Sequence, residues 1–264
     1  MKILLSGNRG FIGSQISEWL EKSDYFFIGF DKDETIPDEK FDVILHFGAR
    51  TLIRRSKEIP YEYFTDNLDL TMQLLEKARK DGSRIIFPTS GSILDPTNPY
   101  SLSKKQGAEW VRLYKELYGL KYYILKLYNI YGETSQKGAV YLFASAALKN
   151  DIVTIYGDGS HERDYTHVSD LVRFVSMILD SKVEPGEYEV GTGIGTSVIK
   201  LLSIIENITK TKIKREYKEY ILPEADVLHS SLPCIPHMLE LEKGVKLVID
   251  SIKKRGNKDG PLNS

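Results

Sequence analysis

"KILLSGNRGFIGSQISEWLEKSDYFFIGFD", residues 2–31, carries the first decision about the fold. It opens on a short apolar run of strand length, continues with apolar residues at helical spacing over 11–22, and ends on a second apolar run, "YFFIGFD". Between the first run and the helix, Gly7, Gly10 and Gly13 stand at the spacing G-x-x-G-x-x-G. Glycines there let a backbone approach a pyrophosphate closely, and the amino terminus of the next helix offers unpaired N–H groups and a partial positive charge. The same spacing also serves a plain strand-to-helix turn. Asp31 ends the second run, 18 residues beyond Gly13. A carboxylate at that place accepts hydrogen bonds from an adenosine ribose and repels a 2'-phosphate, which favours NAD over NADP. The alternative is an ordinary polar loop residue, and Lys32 beside it leaves the choice of cofactor partly open.

The alternation continues outward from this unit. "FDVILHFGA" reads as a strand, 58–80 as a helix, "RIIFPTS" as a strand, 99–119 as a helix and "KYYILKLYN" as a strand. Strands alternating with helices imply right-handed crossovers and a parallel sheet covered on both faces, with ligands at the carboxyl ends of the strands. The second half predicts helices at 138–149, 167–181 and 197–209 with strands at "TIYG" and "EYEVG". After Glu216 the pattern weakens until "LELEKGVKLVIDSIKKR" returns to helical spacing, and the tail "GNKDGPLNS" is expected to fray.

Composition narrows the function. The 264 residues are 41% hydrophobic and 28% charged with a net charge of -1, which suits a folded globular chain and argues against nucleic acid or an anionic membrane as a partner. No apolar run reaches the roughly 18 residues of a membrane span, and "KILLSG" is too short for a signal peptide, so a cytoplasmic location is expected. One cysteine, Cys234, and five histidines without zinc-ligand spacing imply no structural metal.

The stretch "PTSGSILDPTNPYSLSKKQGAEW", residues 88–110, carries the chemistry. Asn98 and Pro99 make a helix entry, which puts Tyr100 in the first turn and Lys104 on the same face one turn later. A tyrosine becomes a base at neutral pH only if its pKa falls by roughly 3 units, about 4 kcal/mol. An ammonium about 4 Å away at an effective dielectric near 20 supplies about that much. Tyr-x-x-x-Lys is also common on solvated helices. Its company matters: "IIFPTSGS" runs out of a strand into a hydroxyl-rich turn, where Ser90 can bond a substrate hydroxyl or carbonyl. Thr89 and Ser92 read equally as turn residues.

Gly7, Gly10 and Gly13, Asp31, "DVILHFGA", "NLDLTMQLL", "TSGS", Tyr100 with Lys104, "LYNIYG" and "YGDGSHERDYTHVSDL" follow one another in the order seen in extended short-chain dehydrogenases/reductases. The chain resembles the NAD-dependent epimerase/dehydratase family acting on nucleotide sugars, from Met1 to about Lys210. The resemblance implies an α/β, Rossmann-type doubly wound parallel sheet over 1–132, with about 151–181 returning to it. A small C-terminal substrate-binding subdomain over 133–264 would follow. It implies a catalytic set of Ser90, Tyr100 and Lys104, with Asn67 helping to hold the lysine through backbone and water. It implies an NAD site from Gly7, Gly10, Phe11, Ile12, Gly13 and Asp31, the segment His46, Phe47, Gly48 and Ala49, and Tyr100 with Lys104. Ser90, Ser92, Asn129 and Arg163 would meet a nucleoside-diphosphate sugar, with Tyr131 in the turn beside Asn129. Arg163 suits a diphosphate as a planar, permanently charged fork, unless it pairs with Glu162 or Asp164. His167 and Asp170 suit structural roles at a helix start, Asp42 the capping of its strand, and Arg54 and Arg55 either an anionic substrate or a solvated face. A homodimer through the helices near 60–80 and 99–119 is also implied.

The departures matter as well. Only residues 32–41 separate Asp31 from the next strand, so the sheet should lack one strand-helix unit. Leu222 stands where relatives carry a second diphosphate-binding arginine, Lys126 where arginine is common and Glu133 where proline is common. Gly91 and Ser92 replace the Asp-Glu pair by which dehydratases eliminate water. The sequence therefore favours a nucleotide-sugar epimerase at carbon 4, with a 4-keto-6-deoxysugar reductase as the alternative and a silent NAD-binding scaffold or sensor as the third reading.

Overall fold

The computed structural model describes residues 1–91, 96–219 and 227–256. Its first elements are β1 (Lys2–Ser6), α1 (Phe11–Glu21), β2 (Phe26–Phe30), β3 (Val43–His46), α2 (Ile53–Glu58), α3 (Pro60–Tyr63), a π-helical turn (Phe64–Asp69), α4 (Leu70–Asp81), β4 (Arg84–Ser90), α5 (Pro99–Tyr118) and β5 (Tyr122–Leu127). There follow α6 (Gly138–Lys149), β6 (Ile152–Tyr156), β7 (Glu162–Arg163), α7 (Val168–Leu179), β8 (Gly186–Val190), β9 (Thr196–Ser197), α8 (Val198–Thr209), β10 (Lys214–Lys218), β11 (Val227–Leu228) and α9 (Leu241–Gly256). The chain divides into two compact units, Met1–Leu127 with Val172–Glu189, and Tyr128–Leu171 with Val190–Ser264. The segment that returns to the first unit is thus 172–189, whereas 151–171 stays with the second.

The first unit is built on a six-stranded sheet of order β2-β1-β3-β4-β5-β8. β2, β1, β3, β4 and β5 run parallel. Leu4, Ile44, Ile85 and Ile124 are wholly buried and pack with Leu74, Leu75 and Val111, which explains why the strands read as continuous apolar runs. β2 is an edge, and residues 31–42 carry no helix or strand, as the short spacing after Asp31 requires. Asp42, just before β3, caps the neighbouring β1 in place of its own strand: its carboxylate accepts from the Lys2 N–H at 2.7 Å. α5 starts as its sequence dictates, with the Asn98 side chain accepting from the Ser101 N–H at 2.9 Å and Pro99 in the first turn. It stops at Gly119, whose φ of +68° is cheap only for glycine.

One expected helix differs. In place of a single helix over 58–80 there are α2, α3, the π-helical turn and α4. Pro60 lacks the N–H that would continue α2, so the chain turns at Ile59 (φ -132°, ψ 59°) and restarts with proline in the first turn. The π turn carries Asn67, whose side chain is tied to the backbone of Arg50.

The second unit packs α6, α8 and α9 around Val140, Phe143, Leu202, Ile205, Val245 and Val248. β6 pairs in parallel with β10, and β7 pairs with β11 in parallel and with β9 in antiparallel sense. β7, β9, β10 and β11 were not evident as strands: three are two residues long, and "KREYK" shows no alternation of apolar and polar residues. Asp164 is wholly buried and organises this region. Its carboxylate accepts from the N–H groups of Thr192 (2.9 Å) and Gly193 (3.0 Å) and from the hydroxyls of Thr192 (2.6 Å) and Ser230 (2.7 Å). Among the described residues no helix is long and apolar enough to cross a membrane.

Candidate functional site

The glycine loop leaves β1 and enters α1 with no spare room. Gly7 has a φ of +73°, and a Cβ on it would lie 2.6 Å from the Gly48 backbone. A Cβ on Gly13 would lie 1.9 Å from the Gly7 carbonyl oxygen. Gly10 is the N-cap of α1, with no side-chain cap and no acidic residue in the first turn, and Phe11 and Ile12 follow half-buried. The helix terminus therefore keeps its partial positive charge for an anion.

Gly7, Asp31, Gly48 and Ala49 line one cleft of about 600 Å³ in the first unit. Both oxygens of Asp31 are held by backbone, Oδ2 accepting from the Arg9 N–H at 3.1 Å and Oδ1 from the Lys32 N–H at 2.8 Å. A cradle that any side chain on Gly7 or Gly13 would fill, a fixed carboxylate and an uncapped helix together fit a dinucleotide. His46 sits beneath it with its imidazole fully engaged, Nδ1 lying 2.9 Å from Ser6 Oγ and Nε2 2.9 Å from Thr71 Oγ1. Burial, reinforced by the Lys104 charge, holds the ring well below the usual histidine pKa, so it is neutral. Its contribution is support, and the next residues, Phe47 half-buried and Gly48 and Ala49 on the cleft, present backbone.

At the end of β4, the Ser90 side chain is hydrogen-bonded to the Tyr100 hydroxyl. Lys104 is buried one turn along α5, its Nζ donating to the Pro88 carbonyl at 3.0 Å and lying 4.9 Å from the Phe87 ring centre. The spacing thus brings all three residues to one strand end, but the electrostatics differ from the expectation. Burial pushes Tyr100 up to about 12, against the Ser90 hydrogen bond that lowers it. Burial pushes Lys104 down to about 8. Desolvation of two charged forms outweighs the help that the chain alone gives the phenolate. Asn67 is also nearby, but its side chain does not reach Lys104 directly. Nδ2 donates to the Arg50 carbonyl (3.1 Å) and to Ser103 Oγ (3.0 Å), and Oδ1 accepts from the Arg50 N–H (2.7 Å). Asn67 therefore ties the segment after Ala49 to α5. Ser92 and Leu222 lie outside the described residues.

In the second unit, Asn129 and Arg163 line one cavity of about 330 Å³ with Tyr131, Lys137, Tyr156 and His161. Asn129 holds a φ of 28° and donates to the Asp164 carbonyl at 3.3 Å. Arg163 donates to the Glu162 carbonyl at 2.8 Å, while Asp164 is committed to Thr192, Gly193 and Ser230. The amino terminus of α6, again without a side-chain cap or an acid in its first turn, opens on the same cavity through Gly138–Val140. Lys137, Tyr156 and His161 escape sequence reading because they carry no spacing signal of their own; α6 and β6 bring Lys137 and Tyr156 to the cavity of Arg163, and His161 stands two residues before it. His167 packs against Tyr131 and lies 3.2 Å from Glu133, and Asp170 accepts from the Leu239 N–H at 2.9 Å. Both serve structure. Lys126 stands 4.0 Å from Glu189, and Arg54 and Arg55 lie exposed on α2.

Several known proteins are similar to this chain. A provisionally named UDP-glucose 4-epimerase of Methanocaldococcus jannaschii is 30% identical, over 95% of this chain and 98% of its own. The UDP-glucuronate 4-epimerase of Thermodesulfobacterium geofontis is 24% identical over 95% and 96%. The crystal structure of a Thermotoga maritima UDP-glucose 4-epimerase with UDP-glucose superposes with a TM-score of 0.87 at 25% identity, covering 97% of this chain and 99% of that one. The model of the NAD dependent epimerase/dehydratase family matches residues 3–191, which include the glycine loop, Asp31, Ser90, Tyr100 and Lys104. The chain belongs to that family.

Proposed function

We propose that this protein is an NAD-dependent epimerase acting at carbon 4 of the hexose in a uridine-diphosphate sugar. The observation that carries the reading is the Ser90–Tyr100 hydrogen bond with Lys104 buried one turn away, in the same unit as the glycine cradle and Asp31. The 4-epimerase names of the relatives support the reaction and the sugar nucleotide. NAD would be held by the backbone at Gly7, Gly10, Phe11, Ile12 and Gly13, by Asp31 at the ribose and by the segment His46–Ala49. When bound it supplies a hydride acceptor and donor and a positively charged ring.

The chain's own residues handle the proton. Tyr100 would act from its phenolate form, which Lys104 and the positive ring of bound NAD favour: Ser90 hydrogen-bonds the reacting hydroxyl, and the phenolate takes that hydroxyl's proton and returns it when the configuration has inverted. Lys104, with a pKa of about 8, is still mostly protonated at pH 7 and supplies a fixed positive charge behind the phenol. In the second unit Arg163 and Asn129, with Lys137 and the α6 terminus, take the diphosphate, and Tyr156 offers a ring for the base. Gly91, and Ser92 after it, leave no carboxylate for elimination, so dehydration is not part of the reading. Two copies would pair through the apolar stripe Leu102, Trp110, Leu113 and Leu117, all exposed on α5.

The test begins with protein purified without added cofactor, denatured, and assayed for released nucleotide by mass. Near-stoichiometric NAD, with interconversion of UDP-glucose and UDP-galactose, is expected. An empty protein that consumes reduced cofactor on a keto sugar makes it a reductase instead, and one that binds no nicotinamide nucleotide makes it a scaffold.

A further inference from the structure

Arg9, the third residue of the glycine loop, stands next to the carboxylate expected to meet the adenosine ribose, its Nε 4.0 Å from Asp31 Oδ2. A guanidinium there would ordinarily welcome a 2'-phosphate. It is drawn off by Glu34, whose Oε1 accepts from Arg9 Nη1 at 2.9 Å. The other oxygen of Glu34 accepts from the Asp31 N–H at 2.7 Å, so Glu34 is anchored on the end of β2 and spans from there to Arg9. Glu34 lines the 600 Å³ cleft, and Arg9 does not. The cations that do line it, Lys32 and Arg50, both pair with Asp66, Lys32 at 3.2 Å. Four carboxylates, Asp31, Glu34, Asp66 and Asp69, line the cleft with those two cations.

We infer that Glu34 is a second determinant of cofactor choice: with Asp31 it keeps Arg9 out of the ribose end of the cleft, so that the chain takes a dinucleotide with a free 2'-hydroxyl and rejects one with a 2'-phosphate. The inference rests on the NAD reading of this cleft. It gives the loop arginine a role, because Arg9 neutralises part of the Asp31–Glu34 charge without lining the cleft. Asp31 contributes the local repulsion and Glu34 the removal of a neighbouring cation that would offset it. Discrimination is electrostatic and partly exposed, with side-chain exposures of 55% at Arg9 and 45% at Glu34, and it weakens as salt rises.

The experiment titrates NAD and NADP separately into protein freed of bound nucleotide, and reads the ratio of the two dissociation constants. The wild-type chain is expected to prefer NAD by at least about 100-fold, and Glu34→Gln to cut that preference about tenfold. Combining Asp31→Asn with Glu34→Gln should bring NADP to parity, and adding Arg9→Ala to that pair should remove the gain. Thermal melts of each variant confirm folding, which an exposed Glu34 does not govern. An unchanged ratio in Glu34→Gln, or a gain that survives Arg9→Ala, overturns the inference while leaving NAD binding intact. A wild-type chain that binds neither nucleotide overturns the NAD reading and the inference with it.

Discussion

Two of the side chains proposed to carry the chemistry, Tyr100 and Lys104, are tuned chiefly by burial. Tyr100 is held up at about 12 and Lys104 down at about 8, so the charge on Lys104 does not by itself bring Tyr100 to its phenolate near neutral pH. Tyr100→Phe keeps the ring and removes the proton carrier, and should lower kcat by about 10²- to 10⁴-fold with a far smaller loss of the NAD retained after purification. A loss of NAD equal to the loss of rate would contradict that separation. Stability reads the same burial. The folded pKa of Lys104 lies below its ordinary 10.5, so between about pH 8 and 10.5 the unfolded chain holds a proton that the folded chain has released. Its contribution to stability therefore rises with pH across that window. Tyr100 acts in the opposite sense: its folded pKa lies above 10.0, and its contribution is lost as pH climbs from 10 to about 12. Melting temperatures of wild type and Lys104→Met, compared from pH 7 to 10.5, should converge as pH rises. Parallel curves would mean that Lys104 is not desolvated. The Tyr100–Lys104 pair and Ser90 were legible in the sequence from a cap, a spacing and a strand end. The direction of the pKa shifts was not, because desolvation depends on neighbours distant in sequence.

At the level of elements, close approach decides the site. α5 meets β4 where Gly107 lies against Phe87, and a Cβ there would come within 2.7 Å of the buried ring. Gly107→Ala should cost about 1–3 kcal/mol in denaturant unfolding and shift Tyr100 and Lys104 with the helix. No change in midpoint would show that the helix can retreat freely. The π-helical turn is the second such device. It aims Asn67 at Arg50 and Ser103, and Asn67→Ala should cost about 1–3 kcal/mol because the Arg50 N–H and carbonyl lose their partner. The helix over 58–80 was visible as amphipathic spacing, but the turn was not. A π turn inserts one residue without altering composition, and only the bond from Asn67 to Arg50, distant in sequence, reveals why it is there.

For the whole molecule, the apolar stripe on α5 argues for pairing of two chains. Mass measurement in solution should give about twice 30.1 kDa, and Leu113→Glu should shift the species to half that mass. A wild-type monomer would assign the stripe elsewhere. In the second unit, buried Asp164 gathers donors from residues 192, 193 and 230, so Asp164→Ala should destabilise by about 3 kcal/mol or more, read as the loss of cooperative unfolding at lower denaturant. The sequence by itself determined the parallel α/β sheet, the glycine cradle, Asp31 and the Ser90–Tyr100–Lys104 strand end, because apolar periodicity, capping and fixed spacing are local properties of a chain. Only the tertiary structure decided that Asn67 bonds Arg50, that Lys137, Tyr156 and His161 join Arg163, and that Glu34 engages Arg9. Those partners are far apart in sequence or lie in irregular segments, and burial and charge become defined there only once the backbone has closed around them.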